Sequence, residues 1–388
     1  MKILVLNAGS SSLKLSVFDT QKDDYPIFKA QFEKFENGTC VFSFLDQKRT
    51  EKISSTEDAL SLIPVFLRQF GHHHFDAVGH RVAHGGGVFS KATCVTDEIL
   101  KQISAFNALA PLHNPINLKA IEMSRDLWSN ISHFAVFDSA FHGTTPPHAY
   151  TYAIPKNWRE KGVRRYGFHG IAHRYASDIL TKKIKKNDLK IINCHLGSGA
   201  SLCAIKNGQS IDTSMGFTPL EGLVMGERCG DLDPGIFNYL HDNFSMTAKD
   251  FNSMLYKQSG LKAICGLSDM RSIEEKYNEK NLDCALAISI YVYRIQKYIG
   301  SYLAALEGID VLSFTGGVGE NSSLIRRLVC EKFSFLDLDL DPFKNENTID
   351  EKIDFIHNNT SKIKVAVIKC FEDYMIAHEI KEYCAKEK

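Results

Sequence analysis

Three times in this chain an apolar run breaks into a short stretch of glycine and hydroxyl residues. The first is Asn7-Ala8-Gly9-Ser10-Ser11-Ser12-Leu13-Lys14, between the runs Ile3–Leu6 and Leu13–Phe18. The second, within residues 191–205, bends at His195-Leu196-Gly197-Ser198-Gly199 and then resumes its apolar character. The third, Thr315-Gly316-Gly317-Val318-Gly319-Glu320-Asn321, follows Val311–Phe314. It leads into a helical pattern starting near Ser322, with Leu324, Ile325 and Leu328 on one face. Runs of Val, Ile, Leu and Phe are strand material, so the first two stretches predict strand–turn–strand units. Glycine lets backbone amides approach an anion closely, and successive amides there form an anion-binding nest. The hydroxyls add donors and Lys14 adds a mobile positive charge. One such bend is an ordinary turn. Three together point to a nucleotide held by its phosphates from several sides. The usual phosphate loop, G-x-x-x-x-G-K-[ST], does not occur.

Strand-like and helix-like runs alternate, which makes the class α/β. Expected strands are Lys2–Ala8, Leu13–Asp19, Ala77–Val82, Phe134–Phe137, Lys190–Cys194, Ser201–Ile205, Val311–Phe314 and Lys364–Ile368. Thr96 before Asp97 and Glu98 predicts a helix start. Asn114-Pro115 and Asp233-Pro234 each pair a capping residue with a proline at the first helical position. Thr247 and Asp250 form a capping-box pattern, with Gly260 as the expected stop. Long helices are expected from about Asn281 to Leu306 and from about Glu372 to Ala385.

The chain's 388 residues suffice for two to three domains. Two hairpins of one kind, each early in its half, suggest a duplicated fold. The expected division is residues 1–141, residues 142–373, and a terminal helix, 374–388, returning to the first part. The formal net charge is zero, so any anion site is local and broad attraction to nucleic acid or to a membrane surface is unsupported. No segment has the length of a membrane span. Ten cysteines without C-x-x-C spacing favour a reducing compartment, hence a cytoplasmic location, and no structural zinc.

The remaining polar clusters sit at the ends of apolar runs. Arg81 stands beside Ala83-His84-Gly85-Gly86-Gly87, His113 in a proline-bounded loop, and Asp138 at a strand end. His169 lies between Gly167 and Gly170, and Arg228 lies in Gly226-Glu227-Arg228-Cys229-Gly230-Asp231. Singly, each is a candidate ion pair or cap. Jointly, two arginines, several histidines, a lysine, a strand-end aspartate and three glycine bends are the parts of a phosphoryl-transfer site. Such a site needs positioning and charge neutralisation more than covalent chemistry.

On these motifs the chain resembles the acetokinase family, within the acetate and sugar kinase, Hsp70 and actin superfamily. The stretches LVLNAGSSSLK, GHRVAHGG, APLHNP, VFDSAFH, YGFHG, CHLGSGAS, MGFTPLEG, RCGDLDP and FTGGVGEN carry the likeness over essentially the full length. The resemblance implies two ribonuclease H-like βββαβαβα domains with an active-site cleft between them. It also implies a homodimer and reversible transfer of a phosphoryl group between ATP and acetate, giving acetyl phosphate and ADP, with Mg²⁺ or Mn²⁺. Carried over by motif, the catalytic residues are Asn7, Arg81, Asp138, His169 and Arg228, and Asn7 and Glu372 serve the metal. Ser10, Ser12, Lys14, His195, Leu196, Gly197, Ser198 and Gly199 meet phosphates. Asp269, Met270, Arg271, Gly316, Gly317, Val318, Gly319 and Asn321 frame the nucleotide. Arg81, Val82, Ala83, Leu112, His113, Phe168 and Pro219 line the acyl site.

Four positions depart from the family's pattern. Ala83 stands for Val, which enlarges the acyl pocket. Ser198 stands for Asn, Glu227 for Thr, and Phe371-Glu372-Asp373 for Asn-Glu-Glu, which makes Asp373 an alternative to Glu372. The rival readings are a propionate or butyrate kinase of the same family, and an actin- or chaperone-like ATPase module.

Overall fold

A computed structural model describes residues 1–9, 12–22, 25–44, 47–72, 74–111, 113–348 and 352–386. Ser10 and Leu112, expected to meet a phosphate and the acyl group, lie outside the described residues. The chain forms two compact units, Met1–Ala140 with Phe371–Lys388, and Phe141–Cys370.

The first unit is built on an eight-stranded sheet. Its strands are β1 (Lys2–Ala8), β2 (Ser12–Asp19), β3 (Phe28–Glu36), β4 (Thr39–Phe44), β5 (Gln47–Glu51), β6 (Ala77–Val82), β7 (Thr93–Cys94) and β8 (Ser132–Phe137). Their order is β5-β4-β3-β2-β1-β6-β8-β7. β1 and β2 pair antiparallel, placing Asn7 opposite Lys14, while β1, β6 and β8 run parallel. The second unit holds six strands: β9 (Lys190–Leu196), β10 (Ala200–Lys206), β11 (Gln209–Thr213), β12 (Val311–Thr315), β13 (Ile353–Phe355) and β14 (Lys364–Ile368). Their order is β11-β10-β9-β12-β14-β13. The segments β3-β2-β1-β6-β8 and β11-β10-β9-β12-β14 thus repeat one topology: an antiparallel meander whose first strand continues into two parallel strands. This is the duplicated α/β core expected from the paired hairpins.

Parallel central strands are buried on both faces and need helices to cover them. Leu4, Leu6 and Val78 belong to the first unit's core, and Ile192, Cys194, Leu312, Phe314 and Val365 to that of the second. The helix Gly170–Ile184, which follows β8 in the chain, packs on β9 and β12. The helix Glu372–Lys386, which follows β14, packs on β1 and β6. Gly79 permits that second packing. A Cβ there would lie 2.6 Å from Ile380 Cδ1 and 2.9 Å from Ile376 Cγ2.

Several local expectations need correction. β3, β4, β5, β7, β11 and β13 are additional to the expected strands. Asn114 does not cap its helix. His113 occupies that position, and Asn114 is the first helical residue. Pro234, not Asp233, is the residue flanking the helix Gly235–Phe244, although Asp233 Oδ1 accepts from the Gly235 amide at 2.8 Å. Gly260 does not end a helix but opens the next, Gly260–Cys265, with φ 66°. The third glycine stretch is not an open bend but a short helix, Gly316–Asn321. Its glycine-rich sequence gives it little intrinsic helicity, and tertiary contacts supply the rest. Glu320 Oε1 accepts from the Gly316 amide at 2.9 Å, and the buried Arg326 donates to the carbonyls of Gly319 and Glu320 at 3.0 and 2.8 Å. Gly316 itself sits at φ 77°, where a Cβ would press 2.7 Å from the Leu196 carbonyl oxygen.

Candidate active site

Ligands in open α/β sheets gather beyond the carboxyl ends of the parallel strands. In the first unit those ends carry Asn7 on β1, Arg81 on β6 and Asp138 just after β8. The structure brings the three together. Arg81 Nη1 donates to Asn7 Oδ1 at 3.4 Å, and Arg81 Nη2 forms an ion pair with Asp138 Oδ2. Asp138 is 2% exposed, and its Oδ1, like Arg81 Nε, has no hydrogen-bond partner. Burial pushes the Asp138 carboxyl up to about 6, and the Arg81 guanidinium pulls it back without cancelling the shift. Burial opposes the Arg81 charge, but Asp138 and then Glu372 outweigh it and raise the guanidinium further above neutrality. Glu372 therefore bears electrostatically on this pair. The half-buried Asp373 is engaged elsewhere, accepting from Ser16 Oγ at 2.7 Å.

Two asparagines fix the turn after β6. Asn117 accepts from the Ala83 amide at 3.1 Å and donates to the Ala8 carbonyl at 2.8 Å. Asn114 accepts from the His84 amide and donates to the His84 carbonyl, both at 3.0 Å. Val82 and Ala83 are buried beside this clamp and His113 is half-buried. Lys14 is exposed opposite Asn7, and the Gly9 amide donates to the Ser12 carbonyl at 2.8 Å, closing the first hairpin.

In the second unit the β9–β10 hairpin turns at Gly197-Ser198-Gly199, with the Gly197 amide donating to the Gly199 carbonyl at 3.0 Å. A Cβ at Gly199 would lie 3.5 Å from His169 Nε2 and 3.6 Å from Arg228 Nη1, so both groups converge on this turn. Arg228 Nη1 also donates to the Pro219 carbonyl at 3.0 Å. Burial lowers the Arg228 value, partly offset by Tyr256 and Glu227. Glu227 pairs with Lys262 at 2.7 Å. The rings of His169 and His195 lie 4.6 Å apart, and His195 Nδ1 meets Thr315 Oγ1 at 3.1 Å. His142 fixes the approach to His169. Its Nε2 donates to the Phe168 carbonyl at 3.0 Å, and its Nδ1 accepts from Ser210 Oγ at 2.9 Å.

On the far flank of the same turn opens a cavity of about 450 Å³, lined by Gly197, Ser198, Asp269, Met270, Arg271, Glu274, Gly317, Val318, Asn321 and Ser322. That volume lies within the usual range for small-molecule sites. Eight of these ten were expected there from the sequence. Gly316, Gly319 and Leu196 are buried behind it. Glu274 and Ser322 were missed. The first lies one helical turn after Met270, so the i, i+4 rule was the available signal. The second follows Asn321 directly, caps the helix Ser323–Glu331 and donates to Glu274 Oε1. Asn114 and Asn117 were also missed as clamps, because hydrogen bonds to the backbone of a distant turn leave no local pattern. Ser12, Lys14, Val82, Ala83 and His113 belong to the first unit, and Phe168 and Pro219 to the second.

The repeated strand order defines a two-unit α/β fold of the actin-like ATPase kind. A sequence model of the acetokinase family matches residues 2–378. An acetate kinase from Thermotoga maritima is 44% identical, covering 100% of this chain and 99% of that protein. The crystal structure of a propionate kinase from Francisella tularensis matches with a TM-score of 0.92 at 38% identity, covering 97% of this chain and 98% of that one. That of Porphyromonas gingivalis acetate kinase matches at 0.90 and 38%, covering 98% and 99%. The chain belongs to the acetokinase family.

Burial holds the His142 ring at about 4, below its ordinary 6.5, despite the Phe168 carbonyl drawing it up. A depressed histidine contributes stability above its unfolded value and loses it as pH falls through the folded one. Urea unfolding from pH 7 to pH 4 should therefore show falling stability, with His142 supplying at most about 3 kcal/mol. His142→Gln should flatten that slope; a slope identical to the parent's would refute the assignment.

Proposed function

We propose that this protein transfers a phosphoryl group reversibly between ATP and acetate. What supports the reading above all is the Gly197–Gly199 turn, set between a cavity of nucleotide size and the pair His169 and Arg228. That is where a chain of phosphates leaving an adenosine would pass. In this reading Asp269, Met270, Arg271, Gly317, Val318 and Asn321 hold the nucleoside. The Ser198 and Gly199 amides of the turn take phosphate oxygens, and His169 and Arg228 hold the transferring group. Arg81 takes the acyl carboxylate, because a planar guanidinium binds oxyanions with two parallel donors. Val82, Ala83 and His113, on the same unit as Arg81, face the acyl group.

A carboxylic acid with a pKa of about 4 to 5 is already ionised at neutral pH, so no general base is needed. Asp138 fits a different role, since its charge is committed to Arg81. Its unpartnered Oδ1, the Asn7 amide oxygen and the Glu372 carboxylate are hard oxygen donors that suit Mg²⁺, or Mn²⁺ with the same set. The cation would neutralise phosphoryl oxygens during transfer. Ten cysteines without C-x-x-C spacing suit a reducing cytoplasm, and among the described residues no helix is long and apolar enough to cross a membrane.

Incubation with ATP, Mg²⁺ and acetate, followed by hydroxylamine, should yield acyl hydroxamate. Arg228→Ala should lower kcat by about 100-fold or more with an unchanged circular dichroism spectrum. Folded parent protein giving no hydroxamate would end this reading.

A second reading, propionate, draws on Ala83 and on the likeness to the Francisella propionate kinase. A methylene in such a pocket is worth about 1–3 kcal/mol of discrimination. Ala83→Val should shift the acetate-to-propionate ratio of kcat/KM toward acetate by about tenfold; an unmoved ratio rejects a discriminating role for residue 83.

The protein is also read as a homodimer. Leu282, Leu286 and Tyr293 are 83%, 54% and 59% exposed on the helix Leu282–Leu306. Their spacing of four and seven puts them on one face, a stripe that a second copy would cover. Sedimentation equilibrium should give twice the 43.6 kDa chain mass, and Leu286→Glu should halve it. A monomeric parent protein would exclude the dimer.

A further inference from the structure

The Nδ1 face of His169 is held by a chain of buried hydrogen bonds. His169 opens the helix Gly170–Ile184 from a left-handed conformation, φ 56°, and its Nδ1 lies 2.9 Å from Ser201 Oγ. Ser201 Oγ lies 2.8 Å from His173 Nε2, and His173 Nδ1 lies 2.9 Å from Asn193 Nδ2. Asn193 Oδ1 lies 2.7 Å from Ser313 Oγ, on the paired position of β12. Ser201, His173, Asn193 and Ser313 are all 0% exposed.

We propose that Asn193 and His173, acting through Ser201, are positioning residues that hold His169 in the tautomer whose Nε2 carries the proton and faces the phosphate turn. The proposal rests on the reading of His169 as a donor to the transferring phosphoryl group. The direction of the chain follows from valence. An amide oxygen only accepts and an amide nitrogen only donates. The Ser313 hydroxyl therefore donates to Asn193 Oδ1, which turns Asn193 Nδ2 toward His173. His173 Nδ1 accepts, and its single ring proton is on Nε2. Burial keeps that ring neutral, and the neighbouring His142 and His195 disfavour its protonation further. His173 Nε2 donates to Ser201 Oγ, which leaves the Ser201 proton for His169 Nδ1. The proton of His169 is then on Nε2, beside Gly199 and Arg228.

The opposite order fails at both ends. It strands the Ser313 proton, for which Asn193 Oδ1 is the one acceptor among the described residues. It also presents a bare nitrogen lone pair to an anion. The bystander in a catalytic triad sets a histidine tautomer by the same logic. Here the task is to supply a hydrogen-bond donor rather than a base.

Long-range ¹H–¹⁵N spectra of the full chain labelled with ¹⁵N-histidine test this at pH 8, with His169→Gln providing the assignment. The His169 ring should show an unprotonated Nδ1 and a protonated Nε2. In Ser201→Ala both nitrogens should move to the intermediate shifts of a tautomer mixture. Its kcat should fall by about two- to tenfold, as a competent fraction is lost. KM for ATP and acetate should stay within about twofold, the signature of an interaction made only in the transition state. Ser201→Thr, which keeps the hydroxyl, should restore both the spectrum and kcat. A protonated Nδ1 in the parent protein, or Ser201→Ala leaving the shifts unmoved, overturns the proposal. An intact relay with kcat unaffected in His169→Ala would instead overturn the catalytic reading of His169 and leave the tautomer assignment standing.

Discussion

The ion pair between Arg81 and Asp138 is the contact on which the first unit's chemistry depends. An arginine that is to meet an anion, as proposed for Arg81, must stay ordered and charged before that anion arrives. Burial opposes this, and a buried charge without a partner is strongly unfavourable. Asp138 supplies the countercharge from the neighbouring parallel strand, and Asn7 fixes the other nitrogen from the strand on the opposite side. Three adjacent strands thus each contribute one side chain to a single arrangement. The pairing commits the Asp138 charge to Arg81, although burial still lifts its carboxyl to about 6.

The second unit repeats the strand order but gathers different side chains around it. Where the first unit has an asparagine, an arginine and an aspartate, the second has a glycine turn, a helix start and histidines held by buried hydroxyls and amides. The reason is local. The turn after β9 must let backbone amides be approached, so it is glycine on both sides of Ser198. The start of the Gly316 helix must lie against Leu196, where a side chain would collide with backbone. One topology therefore carries two arrangements, one built on paired charges and one on glycine-lined main chain.

Much of this was legible from residue order. The strands next to the glycine bends were readable because they combine apolar runs with abrupt stops, and five of the eight expected cavity residues fall in two such stops, while Asp269, Met270 and Arg271 came from the family resemblance. The edge strands were not. β5 reads Gln-Lys-Arg-Thr-Glu and has no apolar period, because an edge strand is only partly buried. The Gly316 helix was read as a bend since its composition disfavours helix; a buried arginine six to seven residues beyond the carbonyls it grips, Arg326 with its partner Asn345, holds it in shape. Asn114 looked like a cap because asparagine commonly caps, yet its side chain is drawn to the backbone of His84 thirty residues back. The His169 relay was invisible for the same reason. Its members come from separate strands and a helix, and only the fold aligns them.

The helix Glu372–Lys386 seats Ile376 and Ile380 over Gly79 of a sheet whose other strands are complete by Phe137. During translation the ribosome must make all of residues 141–370 before that helix emerges, on the order of ten to fifty seconds. Through that interval the nascent first sheet carries a bare apolar groove along β6. The portion synthesised earliest is thus the portion finished last, and it is the natural client for a chaperone on the growing chain.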